Sequence, residues 1–297
     1  MKQPHSKKTK QTTFNVGEQA ELMPFLIAKM GGSRTAVKSL LSHRQVSIND
    51  KVTTRYNTLL EKGDIITINH SRGNVALVHP KLRILYEDSA LIIVEKKEGL
   101  LTVGTEKGHE TTAFDILKNH VKKSSPRHRI YTIHRLDRET SGVLVFAKSR
   151  EIQLKMQANW HQTVVKRIYI ALVEGRVEKE SAEIRTWLTE NEKSLKVHSS
   201  VHKNDGREAV THYKRIKSNA THSLLEIALE TGRKNQIRVH MQSIGHPIAG
   251  DKKYGAQTNP LRRIGLHARI LAFHHPVTDH IVRYETPVPR PFLHLFH

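Results

Sequence analysis

Short apolar runs separated by charged turns set the rhythm of this chain. Leu82 to Tyr86 and Ala90 to Val94 read as two strands joined by the acidic turn Glu87-Asp88. Ile130 to Ile133 alternates apolar and polar groups, Val143 to Ala147 is a continuous apolar run fit for a buried strand, and Val164 to Val173 reads as a longer strand. Residues 174–230 hold further strand-like segments, with Asn204-Asp205-Gly206-Arg207 composed like a hairpin turn. Thr112 to Val121 carries Ala113, Ile116 and Leu117 on one helical side, followed by a basic loop from Lys122 to Arg129. Between Ser149 and Gln162, the residues Ile152, Leu154, Met156, Ala158 and Trp160 alternate strictly yet also satisfy i to i+4 spacing, so periodicity leaves strand and helix both open.

The N-terminal part has a different rhythm. Residues 1–16 hold Lys2, Lys7, Lys8 and Lys10, no acid near them and no periodicity, and read as a flexible basic tail. Leu22 to Met30 suits a first helix stopped by Gly31-Gly32. Ser33 is placed to cap a second, with Val37, Leu40 and Leu41 on one face. Val46 and Ile48 alternate into an Asn49-Asp50 turn, and Gly63-Asp64 leads into Ile65, Ile66 and Ile68. Ser71, Arg72, Gly73 and Asn74 are breakers. The expected organisation is a tail at 1–16, a small module at 17–70, a linker at 71–81 and a large domain at 82–297.

Charge narrows the partner. Forty-nine Lys and Arg stand against 28 Asp and Glu, a net charge of +21 with a pI near 10.1. Such an excess asks for a polyanion, and nucleic acid leads because phosphate neutralisation supplies most non-specific affinity. A membrane surface would want a basic amphipathic helix with bulky apolar residues opposite, and none is evident. No apolar run approaches the ~18 residues of a membrane span, and the N-terminus M-K-Q-P-H-S-K-K-T-K is unlike a secretory signal. The absence of cysteine excludes disulfides and thiolate metal sites and fits a cytoplasmic location. His240, His246, His267, His274 and His275 lack metal-binding spacing. Neither a G-x-x-x-x-G-K-S/T loop, a G-x-G-x-x-G fingerprint nor a G-x-S-x-G elbow occurs.

The densest chemistry lies in H-R-L-D-R-E-T-S-G-V-L-V-F-A-K, residues 134–148: a polar turn feeding an apolar strand, with Gly142 giving freedom at the junction. Asp137 would sit in a loop held between two extended segments, a rigid place for a reactive carboxylate. On spacing alone, a surface turn whose Asp caps backbone amides is equally open. The unbroken match at His134, Arg135, Leu136, Asp137, Thr140, Ser141 and Gly142 resembles the catalytic signature of the RluA/RluD family of pseudouridine synthases. The resemblance extends through residues 166–175, similar to K-x-x-Y-x-A-x-V-x-G, and through T-G-R-K-N-Q-I-R-V-H at 231–240, with Asn235 where the family has His. It continues into G-H-P-I-A-G-D at 245–251 with Tyr254-Gly255, then Leu266-His267-Ala268 and His275-Pro276. Lys96, Gly99 and Leu100 match the family's N-K-P-x-G-L, without its Asn and Pro. The segments around Ser33-Arg34, Val46 to Val52 and Lys62 to Ile68 are similar to an S-four-type RNA-binding domain.

The resemblance implies an α+β fold with a mixed, largely antiparallel sheet, a central cleft, a helix over Ser149 to Gln162, and a small N-terminal α/β module. It implies Asp137 as the catalytic residue, Tyr169 against the target base, and Arg238 paired with Asp137. Arg135 would help fill the space vacated by the flipped uridine, and Arg34, Lys38 and Arg44 would face RNA phosphates, unless they form an ordinary solvated helix face. The reaction implied is isomerisation of uridine in RNA, with Asp137 acting as nucleophile at the sugar or as base toward a sugar proton; both routes stay open. No cofactor and no metal are expected, and the chain is expected to be a monomer. Large-subunit ribosomal RNA is the favoured target and transfer RNA an alternative. From another class, a non-catalytic RNA-binding ribosome assembly factor would use the same basic surfaces.

Overall fold

The computed structural model describes residues 11–296, apart from 32, 43, 44, 70–76, 105–107, 109, 195 and 204. The chain divides into two compact units, residues 1–76 with 120–128 and residues 77–119 with 129–297.

In the first unit, Gln11–Asn15, Ile65–Asn69, Val46–Ile48 and Lys51–Val52 form an antiparallel four-stranded sheet in that order. Leu22–Met30 and Arg34–Ser42 are the helices. Gly31 ends the first in the left-handed conformation, φ 62°, and its N–H returns to the Ile27 carbonyl, a C-cap that glycine adopts without strain. Ser33 Oγ accepts the Ala36 N–H at 3.2 Å, the cap its position predicts. Leu22, Leu26, Val37, Leu41, Val46, Ile66 and Ile68 form the core. Asn49 and Asp50 both have positive φ, 47° and 64°, so Asn-Asp makes the mirror-image hairpin turn without glycine. Asn49 holds that turn by donating to Asp64 and accepting the Ile65 N–H.

One boundary needs correction. The tail read to residue 16 is too long, because Gln11–Asn15 is a strand paired with Ile65–Asn69 and Val16 is buried. Thr12, Phe14 and Val16 alternate inward, a pattern too short to stand out behind a lysine-rich stretch. Arg44 and residues 1–10 and 70–76 lie outside the described residues.

The second unit is built on an eleven-stranded sheet among the described residues. Its main path runs Val197–Ser200, Ser181–Glu190, Arg207–Ser218, His222–Leu229, Val164–Glu174, Leu266–His274, Ser141–Ala147, Leu91–Lys96, Leu82–Glu87. Its pairings are antiparallel except at the centre, where Ser141–Ala147 runs parallel to Leu266–His274 through Ser141↔His267 and Gly142↔Ala268. Gly142 has φ +120°, and a Cβ there would fall 2.0 Å from the Ala268 carbonyl oxygen, so this crossing admits glycine alone. The segment between Tyr131–Thr132 and Ser141–Ala147, two strands that pair with each other, is the loop carrying Asp137.

Two expectations resolve differently from their local pattern. Arg150–Ala158 is a helix capped by Ser149, with Met156 buried, Ile152 packed beside it and Leu154 exposed, so the i to i+4 spacing prevails over the alternation. Asn204 of the expected hairpin turn lies outside the described residues, and the strands on either side of that segment do not pair with each other. Val197–Ser200 and Arg207–Ser218 each pair with Ser181–Glu190, which lies between them. The helix Ala113–Ser124 runs into the segment read as a basic loop, with Lys122 and Lys123 favoured in its last turn. The helix Gln236–Ser243 lays Ile237 and Met241 on the apolar face formed by Ala171, Val173 and Ile227.

Candidate active site

The Asp137 loop is held by a framework of hydrogen bonds. Leu136 both donates to and accepts from Thr102 Oγ1, at 3.1 and 2.7 Å, and the Thr140 N–H closes the turn onto the Asp137 carbonyl at 3.1 Å. Beneath it lies Lys96, fully buried, whose Nζ donates to the carbonyls of Leu100 at 2.8 Å, Lys97 at 3.1 Å and Arg138 at 3.1 Å. Burial pulls its pKa down to about 8 against the support of nearby carboxylates, Glu139 foremost. Arg263 ties the far side. It pairs with Glu98 and donates to the Glu139 carbonyl at 3.2 Å and to Ser141 Oγ at 2.9 Å. Ser141 in turn meets His267 Nδ1 at 2.8 Å, and His267 Nε2 meets Thr286 at 2.9 Å. Burial holds the pKa of His267 at about 4, so the ring is neutral and serves as a relay of hydrogen bonds between hydroxyls.

The facing wall is the start of Gln236–Ser243. Asn235 precedes it with φ 55°, a left-handed conformation that asparagine tolerates better than most residues. Its side chain accepts from Arg238 Nη1 at 3.1 Å and donates to the Tyr254 hydroxyl at 3.1 Å. Arg238 reaches Asp137 Oδ2 at 3.3 Å through Nη1. Its shorter bonds go to Asp251, from Nε at 2.6 Å and Nη2 at 2.8 Å, a two-pronged pair. The guanidinium also stacks 4.9 Å from the Tyr254 ring centroid. Burial opposes the charge on Arg238, but Asp251 and then Asp137 outweigh it and push its pKa up. The Asp251 side chain is 1% exposed and that of Asp137 39%, so one carboxylate anchors Arg238 and the other opens to the cleft.

Tyr169, on Val164–Glu174 between Ile227 and Ala268, forms the third side. It is half-buried, and burial raises its pKa with Asp137 adding and Arg167 opposing, so the phenol stays neutral. The cleft thus enclosed measures about 430 Å³ and is lined by Arg135, Asp137, Tyr169, Ile237, Arg238 and Leu266 among others. The three residues expected to act together do meet here, and exposed Arg135 stands at the rim. Arg34 and Lys38 are exposed on the second helix of the first unit; Arg44 is outside the described residues. Among the described residues no three His, Asp or Glu side chains are grouped to hold a metal ion. His240 sits between Thr186 and Thr211 and stays neutral, its pKa lowered by burial to about 4. No described helix is long and apolar enough to cross a membrane.

The sequence reading gave no role to Asp251, Tyr254 or Arg263. Asp251 and Tyr254 fall inside a matched motif, so an acid in an otherwise apolar and glycine-rich segment was the available signal; Arg263 offered none.

A family model described as RNA pseudouridylate synthase matches residues 90–243. An uncharacterized RNA pseudouridine synthase of Bacillus subtilis is 33% identical over 273 residues, 90% of this chain and 89% of that one. The chain belongs to the RluA/RluD family of RNA pseudouridine synthases. It is similar as well to ribosomal large subunit pseudouridine synthase D of Neisseria meningitidis serogroup B, 34% identical over 278 residues, 89% of this chain and 74% of that one. Among solved structures, human RNA pseudouridylate synthase domain containing 4 superposes with a TM-score of 0.58 over 71% of this chain and 90% of its own, at 24% identity, and so shares the fold. Family membership makes the chain an isomerase acting on uridine in RNA.

Proposed function

We propose that Asp137 is the catalytic residue of a synthase that modifies large-subunit ribosomal RNA. The observation that carries this reading is the convergence of Asp137, Tyr169 and Arg238 on one cleft. A uridine flipped out of its helix would enter that cleft, as enzymes that work on a base require. Tyr169 offers a neutral aromatic face to the uracil and screens it from water. Asp137 is the carboxylate open to the sugar, and Arg238, anchored by Asp251, fixes its orientation. The bond from the anomeric carbon to N1 breaks, the uracil turns, and a bond from that carbon to C5 forms. The C5 proton leaves and N1 gains one, so atoms and electrons balance without a redox partner. Arg135 at the rim is the residue proposed to fill the vacated space. Arg34, Lys38 and Arg44, in an S-four-type module, are proposed phosphate contacts. Relatives named for the large ribosomal subunit favour that RNA.

The test is a pseudouridine map of total RNA from cells lacking this chain, then restored with the wild type or with Asp137→Asn. Sites in large-subunit RNA should vanish on deletion and return with wild type alone. Sites in transfer RNA would move the target. Sites restored by Asp137→Asn would sink the catalytic assignment. No lost site, with RNA binding intact, would favour an assembly factor.

A further inference from the structure

His134 opens the signature motif yet has no place in the chemistry proposed for the Asp137 cleft. It lines a second cavity, of about 370 Å³, inside the size range of small-ligand pockets. The two cavities share the wall formed by Arg135, Tyr169 and Arg233. Beyond that wall the second is lined by His134, Trp160 and Arg167, with Leu271 and Val143, on the same face of the sheet as Trp160, as an apolar surface. His134 Nε2 accepts the Val145 N–H at 3.3 Å. Burial, with Arg167 adding, lowers its pKa to about 3, so the ring is neutral and its proton lies on Nδ1. Nδ1 has no partner among the described residues. The His134 ring stacks on Trp160 at 5.0 Å and 36°. Arg135 is exposed and forms no ion pair among the described residues, whereas Arg167 spends donors on the Leu229 and Glu230 carbonyls.

This set has donors, an aromatic ring and apolar walls. It matches a nucleobase with a carbonyl edge and a phosphate beside it. RNA is a continuous chain, so a cavity sharing a wall with the uridine cleft lies within one nucleotide's reach of it. We propose that the second cavity seats the nucleotide next to the target uridine. Its base packs on Trp160 and Leu271, a base carbonyl accepts from His134 Nδ1, and the connecting phosphate lies against Arg135. Uracil, cytosine and guanine have such a carbonyl; adenine does not. The proposal rests on the Asp137 cleft being the uridine site.

The experiment uses the full chain and a synthetic RNA spanning a uridine found by the map, with an abasic residue or an adenosine placed on its 5′ or 3′ side. An abasic residue on one of the two sides should raise KM about tenfold, the value of one base–aromatic stack, with kcat within about twofold. Adenosine on that side should fall between. Trp160→Leu, and separately Gln157→Trp at an exposed lining position to fill the space, should each raise KM on intact RNA by a similar factor and become indifferent to the abasic residue. A penalty of equal size in wild type and in whichever variant folds would overturn the assignment, as would no penalty on either side. Absence of product from intact RNA would overturn the uridine-site reading and this proposal with it, whereas product formation blind to both neighbours overturns this proposal alone.

Discussion

Around the Asp137 loop, Lys96, Arg238 and Arg263 are buried or nearly so, and each spends its donors on several fixed acceptors. On the helix Arg34–Ser42, Arg34 and Lys38 are exposed. The same side-chain types therefore do different work. A buried cation is strongly held because the alternative is an unpaired charge or an orphaned carbonyl, each costly to bury. Such a cation is part of the architecture and fixes where the Asp137 carboxylate stands. An exposed cation keeps its hydration and rotamer freedom, contributes little to stability, and is free to follow a phosphate backbone. Substitutions in the first group should damage turnover or folding; those in the second should change RNA affinity and its response to salt.

The sharpest probe is Asp251→Asn. It removes the two-pronged anchor from Arg238 and leaves Asp137 as the remaining carboxylate partner. A displacement of the pair by about 1 Å is enough to cost about 10²-fold in kcat, with KM little changed. In an Arg238→Met background the same substitution should cost little more, because its effect runs through Arg238. Additive losses in the two backgrounds, read beside thermal unfolding, would reduce Asp251 to a general structural role.

Lys96→Met comes next and acts on stability. It strands the Leu100, Lys97 and Arg138 carbonyls, for roughly 1–3 kcal/mol. The deficit should depend on pH. The folded pKa of Lys96 is about 8, below its ordinary 10.5, so the unfolded chain binds more protons between those values. Wild-type stability attributable to this residue therefore rises with pH through that window, and the variant lacks the rise. Denaturant unfolding at pH 7 and pH 9.5 should show the gap between the two proteins widening. A gap that narrows would mean Lys96 is not the buried cation described here.

How legible was this in the sequence? Apolar runs predicted the central strands because a buried strand shows its composition directly, as Val143 to Ala147 does. The signature motif and Tyr169 marked the cleft by matching a family pattern. What escaped was long-range geometry. The Asn204–Arg207 turn looks like a hairpin from its own residues, and only the position of Ser181–Glu190 between the flanking strands shows otherwise. Arg238 was expected against Asp137 and is there, but its tighter grip on Asp251, thirteen residues on, depends on a helix start and a glycine turn closing on each other. Asn235 carries a backbone reason, its left-handed φ, and a side-chain reason, the bridge from Arg238 to Tyr254; neither is written in residue spacing.

The smallest expected effect tests the other half of the comparison. Arg34→Gln with Lys38→Gln removes two exposed charges that no described contact holds in place. Unfolding should shift by less than about 0.5 kcal/mol, as for surface substitutions generally. If these side chains meet RNA phosphates, each lost contact should reduce the slope of log affinity against log salt by about one. Affinity should fall most at low salt, while kcat at saturating RNA stays unchanged because the Asp137 framework is untouched. Filter binding of the mapped RNA across a salt series would read the slope, and saturating turnover the rest. An unchanged slope would make the helix face ordinary solvated surface. A fall in kcat would mean that exposed cations, too, help build the catalytic geometry, and the division between fixed and free charge would fail.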